Sequence, residues 1–326
     1  MGKTGEWEVI SPMLCGAARS AWVLRAYGLR GVAIALLLAL GGCSLQRYAI
    51  NSVGDVLASG GSVYEADSDP ELIQEALPFG LKLIESLIAE QPEHRGLLLA
   101  AARGYLLYSY AFVSIPAEQA RFDDVEHAQT LRRRSRNLYL RAHSYASRVL
   151  ELDYPNIQAA LRDDPAEALM RVDVPVRDVP ALYWTAAALG LAISASRSEP
   201  ALLARLPEVE EMLQRALVLD EAWNAGALHE FAINLAGAGS TSADPTMLED
   251  HYERALELAG GSGAGIHVTF AEVVAVPEQD RRRFAELLER ALAVDVDAYP
   301  EQRLLNVLAQ RRARWLLDHT DEFFLD

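Results

Sequence analysis

The chain has 326 residues, of which 51% are hydrophobic, and its formal net charge at pH 7 is −16. This apolar content is enough for a substantial core and excludes global disorder. The acidic balance excludes a nucleic-acid-binding surface, which needs clustered cations. The two cysteines, Cys15 and Cys43, both lie in the first 43 residues, so a chain processed at Cys43 cannot form an internal disulfide.

The first segment, residues 1–42, is predicted to be a lipoprotein signal peptide. Arginines precede the apolar run Val32–Leu40, which is too short to cross a bilayer but fits the core of a signal peptide. The sequence Leu40-Gly41-Gly42-Cys43 then resembles the bacterial lipoprotein box, in which the cysteine is lipidated and becomes the new N-terminus. We therefore expect Cys43 to be the lipidation site, carrying acyl chains such as palmitate. An ordinary signal peptide with an incidental cysteine is the alternative.

The predicted anchor sets the expected localisation, which is the periplasm, with the protein attached to the membrane by lipid. Because the rest of the chain is acidic, attachment depends on acyl chains rather than on attraction to anionic head groups. Ser44 follows the lipidated cysteine, which favours the outer membrane in a Gram-negative cell. The acidic start of the sequence is unusual for a signal peptide, so both Met1 and Met13 are candidate start residues.

The tether that follows the anchor is predicted to contain a first helix, which Gly60-Gly61-Ser62 ends. Asp69 then has the residue type of a helix cap, and Pro70 has that of a first helical position. A helix is therefore expected from this point to about Glu90, and Pro78 should kink or divide it.

The middle of the chain alternates between apolar and charged segments. A partner helix is predicted over Gly96–Val113, and the charged segment Ile115–Arg136 is either a solvated helix face or a docking patch. A further helix is expected over Asn137–Asp153. Residues 154–180 contain four prolines and are predicted to be an irregular insertion that caps a groove. The apolar segment 181–196 is too short and too polar to cross a membrane, so it is expected to be a buried inner helix.

A repeated pattern organises the second half of the chain. Arg215–Asp220 recurs in similar form at Arg254–Ala259 and Arg290–Asp295, at intervals of 39 and 36 residues, and an earlier copy precedes the set by 67. Such spacing is typical of stacked helix pairs of the tetratricopeptide type, which bury their apolar faces only against neighbours. We therefore predict an all-α, tetratricopeptide-like solenoid over residues 69–326, behind a tether of residues 43–68. The helix pairs are expected at 207–219 with 222–236, 246–259 with 265–275, and 280–294 with 300–319.

The sequence carries no recognisable catalytic motif. His229-Glu230 begins like a zinc-protease helix, but the second ligand position is occupied by Ile233. Gly261–Gly265 lacks the Gly-Lys-Ser/Thr ending of a phosphate loop and is expected to connect two helices. Processing at Cys43 leaves no cysteine nucleophile. We therefore predict a protein that is not an enzyme and that binds neither a metal nor a cofactor.

Ligand contact is predicted where polar or aromatic residues interrupt the apolar inner helices, since a few polar groups in an apolar lining orient a bound molecule. The candidate ligand-binding residues are Tyr183, Trp184, Asn224, His229, Glu230, Glu272 and Arg281. The alternative is that the aromatic members belong to the core and the polar members bond neighbouring repeats. Near the C-terminus, the arginines are expected to pair with acidic neighbours in the stack; they are Arg311, Arg312 and Arg314.

Several phrases, most of them outside the repeat pattern, carry a resemblance to a known family. They are Asp69-Pro70-Glu71-Leu72, Ala76-Leu77-Pro78-Phe79, Leu182-Tyr183-Trp184-Thr185-Ala186, Gly226-Ala227-Leu228-His229-Glu230-Phe231, Tyr252–Leu258, Ala271–Arg281 and Asn306–Leu317. Through these phrases the chain, over roughly residues 43 to 320, resembles the T-component family associated with tripartite ATP-independent periplasmic (TRAP) transporters.

This resemblance implies an all-helical periplasmic lipoprotein that docks the soluble substrate-binding protein of a TRAP transporter. It implies a small organic-acid or apolar ligand, together with a homo-oligomer, such as a trimer, in which a ligand channel crosses each protomer. No nucleic-acid partner is expected. The competing function is a tetratricopeptide scaffold for the assembly of envelope proteins.

Overall fold

The structure is a computed structural model that describes residues 61–237 and 244–325. Over these residues the protein is built from helices and has no β-strand. The first eight α-helices are α1 (Gly61–Glu65), α2 (Pro70–Glu90), α3 (Arg95–Ser109), α4 (Ile115–Gln119), α5 (Val125–Asp153), α6 (Ile157–Asp163), α7 (Pro165–Leu169) and α8 (Pro175–Ser194). The others are α9 (Pro200–Leu203), α10 (Leu206–Asp220), α11 (Ala227–Gly237), α12 (Pro245–Ala259), α13 (Ala264–Phe270), α14 (Arg281–Ala293) and α15 (Arg303–Asp318). The predicted all-α class is confirmed for the described residues, whereas the signal peptide, Cys43 and most of the tether lie outside them.

Shorter helical segments connect or extend these α-helices. Two are π-helical: Tyr110–Ser114 extends α3, and Ala271–Ala275 extends α13. The 3-10 segments are Ala120–Phe122, Trp223–Gly226, Pro300–Gln302 and Thr320–Glu322. Because π-helical turns are rare and recur at functional sites, the two π segments mark places to look for a site.

The start of α2 is set by the residues that the sequence indicated. The carboxylate of Asp69 accepts a hydrogen bond from the backbone N–H of Leu72 at 3.0 Å, and Pro70 occupies the first helical position. Apolar residues recur at helical spacing along the helix, so one face is buried. The buried apolar residues are Ile73, Leu77, Leu81, Ile84 and Ile88.

Gly61 and Ser62 lie within α1, and the helix that they were predicted to end falls outside the described residues. Pro78 lies inside α2 without dividing it, so division is wrong and a kink stays a prediction. A proline removes the hydrogen bond to the carbonyl four residues earlier, which here belongs to Gln74. Because Gln74 is exposed, water can satisfy that carbonyl, and the helix continues.

The helices that follow are longer than predicted. The helical path that begins with α3 runs unbroken through the first π segment and α4 to Phe122. The next helix, α5, begins at Val125 rather than Asn137, and the carboxylate of Asp124 caps it by accepting from the N–H of His127 at 2.9 Å. The charged segment between them is therefore helical for most of its length.

By length and composition alone, Arg95–Phe122 is apolar enough to cross a membrane. In the structure this stretch packs against α2 and α5. Its buried side chains are Leu97, Leu98, Ala101, Ala102, Tyr105, Ser109, Ala111, Val113 and Ala117. Burial among neighbouring helices accounts for part of this apolar composition, since core helices have the same composition.

The insertion at residues 154–180 is more ordered than predicted. It contains α6, α7 and the beginning of α8, and Pro165 and Pro175 each occupy a first helical position. Asp178 is fully buried and accepts hydrogen bonds from the Tyr154 hydroxyl at 2.5 Å and from a backbone N–H at 2.9 Å. The prolines thus start helices here, and a buried carboxylate fixes the loop between them.

The repeat copies give the helices that the pattern predicted. Helices α10, α12 and α14 coincide with the expected first members of the three pairs, and α11, α13 and α15 supply the second members. The small residue shared by the copies is fully buried in each, as Ala216, Ala255 and Ala291. The tetratricopeptide-like geometry of the array itself stays a prediction.

Neighbouring helices along the chain pack against each other, and the last long helix returns to the first. Helix α15 contacts α1 and α2. Leu304 and Leu308 of α15 are buried in the same core cluster as Ile73 and Leu77 of α2. We call this contact between α15 and α2 the seam. It joins parts of the chain that are more than two hundred residues apart.

The C-terminal tail folds onto the last helices. Phe324 is buried, and its ring centroid lies 5.1 Å from that of Phe284 in α14. Phe323 contacts Trp315 of α15 and Phe122, while Leu325 is exposed. The tail therefore covers the end of the helical array with aromatic surface.

Candidate ligand-binding site

Four aromatic side chains from α8 and α11 and the turn before α11 form one group. The ring of Tyr183 lies 4.8 Å from Trp184, 4.8 Å from Trp223 and 5.9 Å from Phe231, centroid to centroid. Tyr183, Trp184 and Trp223 are each partly accessible. The guanidinium of Arg103 lies 6.0 Å over the Trp184 ring, which adds a cation–π contact. Together these rings form a polarisable and mostly apolar surface.

Glu230 lies beside this aromatic group on α11. The hydroxyl of Thr269 donates a hydrogen bond to its Oε1 at 3.1 Å, and no cation pairs with it among the described residues. Burial raises the pKa of Glu230, and the bond from Thr269 only partly opposes that change. Burial, followed by the charge of Glu230, raises the pKa of Tyr183 well above its usual range. The carboxyl and the aromatic group therefore share one enclosed region.

A second polar group is centred on Arg312 of α15, which is 6% exposed. Its Nη2 donates to Glu118 at 2.6 Å and to Glu272 at 2.5 Å. Burial raises the pKa of Glu118, and the guanidinium of Arg312 opposes that change. One arginine thus holds two carboxylates, and these come from helices far apart in the sequence.

The two π-helical segments position this second group. Tyr110 is the first residue of one π segment, and Glu118 follows two turns later on the same continuous helix. Glu272 lies in the other π segment. Because a π turn admits an extra residue, it changes which side chains face the same side of the helix. We attribute the meeting of Tyr110, Glu118 and Glu272 around one arginine to this local change.

Tyr110 lies near both the Arg312 group and Glu230. Its side chain is 41% exposed, and the surrounding protein raises the pKa of its hydroxyl above the usual range. The charges of Glu272, Arg312 and Glu230 also act on this hydroxyl. Tyr110 is therefore the residue that relates the Arg312 group to Glu230.

The structure brings together four of the seven predicted ligand-binding residues. Tyr183, Trp184 and Glu230 lie in the first group, and Glu272 lies in the second. The other three lie elsewhere and are described next. For all seven, ligand contact stays a prediction.

Asn224 is exposed in the turn before α11, where its backbone has a left-handed φ of 51°. His229 is buried, and its Nδ1 lies 2.8 Å from Nδ1 of His251, with Glu221 on its other side. Burial lowers the pKa of both histidines. Arg281 is exposed and pairs with Asp321 near the C-terminus. These positions serve turns and helix contacts rather than the interior surface.

Five residues of the interior were missed by the sequence reasoning. Arg103 and Tyr110 could have been found, because each places a polar group in the apolar run that precedes Phe122. The other three, Glu118, Trp223 and Arg312, carry no such signal. The sequence did predict that the C-terminal arginines pair with acids, and this is confirmed for Arg311 with Glu71 and for Arg312.

The side chains of this interior suit the recognition of a small molecule. Within the described residues, no group of three or more His, Cys, Asp or Glu side chains could hold a metal ion. The polar groups of this interior are the guanidinium of Arg312, the carboxyls of Glu118, Glu230 and Glu272, and the hydroxyls of Tyr110 and Tyr183. Several aromatic rings lie beside them. Such a lining can orient a small molecule through a few polar contacts in an apolar surround.

Comparison with known proteins identifies the family. A model of the TRAP transporter T-component family matches residues 66–324. A relative from Treponema pallidum (strain Nichols), described as an uncharacterized protein, is 32% identical over 312 residues, which cover 90% of this chain and 97% of the relative. The family match spans every long helix and both polar groups of the interior. The chain therefore belongs to the TRAP transporter T-component family, whose members are accessory components of these transporters.

Proposed function

We propose that this protein is a non-catalytic, lipid-anchored accessory subunit of a TRAP transporter in the periplasm. In this role its helices form a tetratricopeptide-like solenoid that docks the transporter's substrate-binding protein and accepts its small ligand. Cys43 carries the acyl anchor, and the outer membrane is the favoured location in a Gram-negative cell. The oligomer is a homo-oligomer, with a trimer as the first form to test.

The observation that carries this proposal is the enclosed interior surface in a chain of the T-component family. A docking subunit without ligand transfer needs no polar groups in its interior. Here Glu230, whose pKa is raised by burial, lies beside the aromatic group of Tyr183 and Trp184, whose side chains are each partly accessible. Tyr110 lies within reach of the charges of Glu230 and Arg312. Polar groups in an accessible, mostly apolar lining are what a small-ligand site requires.

The proposal is tested with the purified substrate-binding protein of a TRAP system from the same organism. Full-length protein in lipid nanodiscs is immobilised, and binding of the ligand-loaded and ligand-free forms is measured by biolayer interferometry. We expect saturable binding, with different affinities for the two forms. Binding to neither form rules out docking of that protein.

Ligand transfer needs a separate measurement with matched variants. Ligand-loaded binding protein is mixed with the nanodiscs, and the ligand that remains with each protein is quantified after separation. Trp184→Ala and Glu230→Gln, tested singly and together, probe the interior, and His229→Ala tests a predicted ligand-binding residue that lies outside it. Glu289→Gln, at an exposed position on α14, is the control. Transfer that is equal in all variants removes these residues from the ligand site but leaves docking intact.

The second candidate is a scaffold for envelope assembly, favoured by the helix pairs of the repeat pattern. A scaffold uses outer surfaces or an open groove, so interior substitutions should not affect it. Co-purification with envelope assembly proteins, without binding to any TRAP substrate-binding protein, would support the scaffold over the transporter role.

A further inference from the structure

Three arginines follow one another at seven-residue intervals along one face of α5. They are Arg134, Arg141 and Arg148. Seven residues make almost two helical turns, so these side chains leave the helix on nearly the same side, about 10 Å apart along its axis. Arg134 and Arg141 are exposed, and Arg148 is partly exposed. We call this row the arginine ladder.

A tyrosine ring lies against each guanidinium of the ladder. The distances from guanidinium carbon to ring centroid are 5.8 Å for Arg134 over Tyr108, 4.9 Å for Arg141 over Tyr105 and 5.9 Å for Arg148 over Tyr145. Two of the rings belong to α3, so the ladder follows the line along which α3 packs against α5. A guanidinium held against a ring has lost part of its freedom before a partner binds, so docking costs less side-chain entropy.

The middle arginine of the ladder shares its carboxylate partner. Arg141 pairs with Glu85 of α2, and the same carboxylate pairs with Lys82 at 2.8 Å. The Glu85 Oε1 also accepts a hydrogen bond from the Tyr145 hydroxyl at 2.7 Å. One carboxylate therefore serves two cations, and the Arg141 side chain is still 43% exposed.

The other two arginines have no carboxylate partner among the described residues. Arg134 donates to the hydroxyl of Tyr108 at 3.4 Å, and Arg148 donates to the backbone carbonyl of Pro92 at 2.6 Å. Arg133, next to Arg134, is a further exposed cation. In a chain whose net charge is −16, this face of α5 therefore carries a local excess of positive charge.

Side-chain type and spacing indicate the partner. Charge complementarity requires an acidic surface, and arginine and tyrosine are enriched among the residues that contribute most to protein interfaces. A second helix lying along α5 would present carboxylates at the interval of the ladder if its acidic residues were seven positions apart. Lipid head groups also supply anions, but they diffuse in the membrane and impose no such interval. An acidic helix of another protein is therefore the occupant that fits the ladder.

We propose that the arginine ladder docks an acidic helix of the TRAP substrate-binding protein, with carboxylates of that helix opposite Arg134, Arg141 and Arg148. This assignment rests on the transporter role proposed above and identifies the docking surface for that role. The ladder and its tyrosines share no residue with the aromatic group or the Arg312 group. Docking and ligand contact therefore use different residues and can be tested separately.

The first test compares two triple variants that lose the same charge. The ladder variant combines Arg134→Gln, Arg141→Gln and Arg148→Gln. The control variant combines Arg171→Gln, Arg197→Gln and Arg314→Gln, which replace exposed arginines that also form no ion pair within the described part of the chain. Circular dichroism checks that both variants keep the helix content of the wild type.

Each protein, full length in phosphatidylcholine nanodiscs, is titrated with the purified substrate-binding protein by biolayer interferometry. We expect the ladder variant to bind at least about tenfold more weakly than the wild type, and the control variant to bind within about twofold of it. Wild-type binding should also weaken at least about tenfold between about 50 mM and about 300 mM salt, because salt screens exposed charges. The ladder variant should show a much smaller salt effect.

The outcomes separate the ladder from the transporter role. Equal binding by the wild type and the ladder variant overturns the ladder and leaves the docking role intact. Absence of wild-type binding overturns the docking role and the assignment of the ladder with it. Hydrogen exchange along α5 that slows in nanodiscs containing phosphatidylglycerol, together with equal binding by the ladder variant, assigns the ladder to the membrane instead.

A second measurement tests the spacing without the substrate-binding protein. A helical peptide with glutamates seven residues apart is compared with a control peptide of the same composition, in which the glutamates are spread around the helix. We expect the first peptide to bind the wild type more tightly than the control peptide does, and to lose this preference with the ladder variant. Equal binding of the two peptides, or equal binding by the two triple variants, refutes the spacing argument.

Discussion

Replacing Glu230 by glutamine should make the protein more stable at neutral pH, although the substitution removes an ionisable group from a candidate site. The wild-type carboxyl is partly buried, and among the described residues only the Thr269 hydroxyl donates to it. Glutamine keeps an oxygen that can accept this bond and avoids burial of a charge. We expect a gain of about 1–3 kcal/mol in the free energy of unfolding, the usual cost of an incompletely bonded buried polar group.

The pH dependence decides whether this reasoning is right. Because burial raises the pKa of Glu230 above its ordinary value of 4.5, the neutral form is favoured in the folded state. Its contribution to stability is complete below the unfolded pKa and is lost as pH rises through the folded pKa. The advantage of Glu230→Gln should therefore be near zero at about pH 4.5 and grow towards about pH 8.

The assay is urea unfolding of both proteins, followed by circular dichroism, at several pH values. Glu289→Gln, an exposed position on α14, is the control and should show little difference at any pH. Thr269→Val should destabilise more at high pH, because it removes the donor to the charged carboxylate. A Glu230→Gln variant less stable than the wild type at about pH 8 would refute the argument.

Four other substitutions test the fold. Gly226→Ala should lower the free energy of unfolding in urea by at least about 2 kcal/mol, because φ is +86° and the new Cβ would lie 3.1 Å from neighbouring backbone. Gly260→Ala should lower it by about 1 kcal/mol, because φ is +57° there but the new Cβ meets open space. Asp69→Ala removes the cap on the N–H of Leu72 and should cost about 1 kcal/mol, with faster hydrogen exchange at the start of α2. Phe324→Ala removes a buried ring and should lower the free energy of unfolding, evaluated at the thermal midpoint, by about 3 kcal/mol. No loss would show that the tail is not docked.

The sequence predicted the repeat helices well because their apolar stripes are regular. In α14, the buried residues Phe284, Leu287, Leu288 and Ala291 follow helical spacing, and the same holds for α10 and α12. An amphipathic period is a local property, so no knowledge of the partner helix is needed to recognise it. Helix identity and approximate bounds could therefore be predicted.

Proline was the main source of error, because its meaning depends on position. Pro165 and Pro175 lie in a segment that the sequence predicts to be irregular, yet both begin helices. At a first helical position the missing N–H of proline would have no helical partner, so its loss does not weaken the helix. Pro78 and Pro180 lie inside helices. The carbonyl that Pro180 leaves unbonded belongs to Val176, which is 93% exposed, so hydration compensates. Exposure of that carbonyl is a tertiary property that the sequence alone does not give.

The candidate site was predictable only where a polar residue breaks a local pattern. Tyr183 and Trp184 stood out within an apolar helix, and Glu230 stood out beside an apolar run. Arg312 belongs to an arginine-rich helix, and nothing local distinguishes it from its exposed neighbour Arg314. Its contact with Glu118 joins residues 194 positions apart. Such a contact follows from the return of α15 to the start of the array, and no local pattern encodes that return.

The energetic cost of Glu230 separates the two proposed functions. A scaffold that works through its outer surface gains nothing from a partly buried carboxyl whose one donor, within residues 61–237 and 244–325, is a threonine hydroxyl. Glutamine would accept the same hydrogen bond without the cost of burying a charge. Proteins depart from such local rules mainly at functional sites, where a ligand or a proton later supplies the missing interaction. The unpaired Glu230, set beside Tyr183 in an accessible interior, thus favours a protein that receives a ligand there over one that only holds other proteins in place.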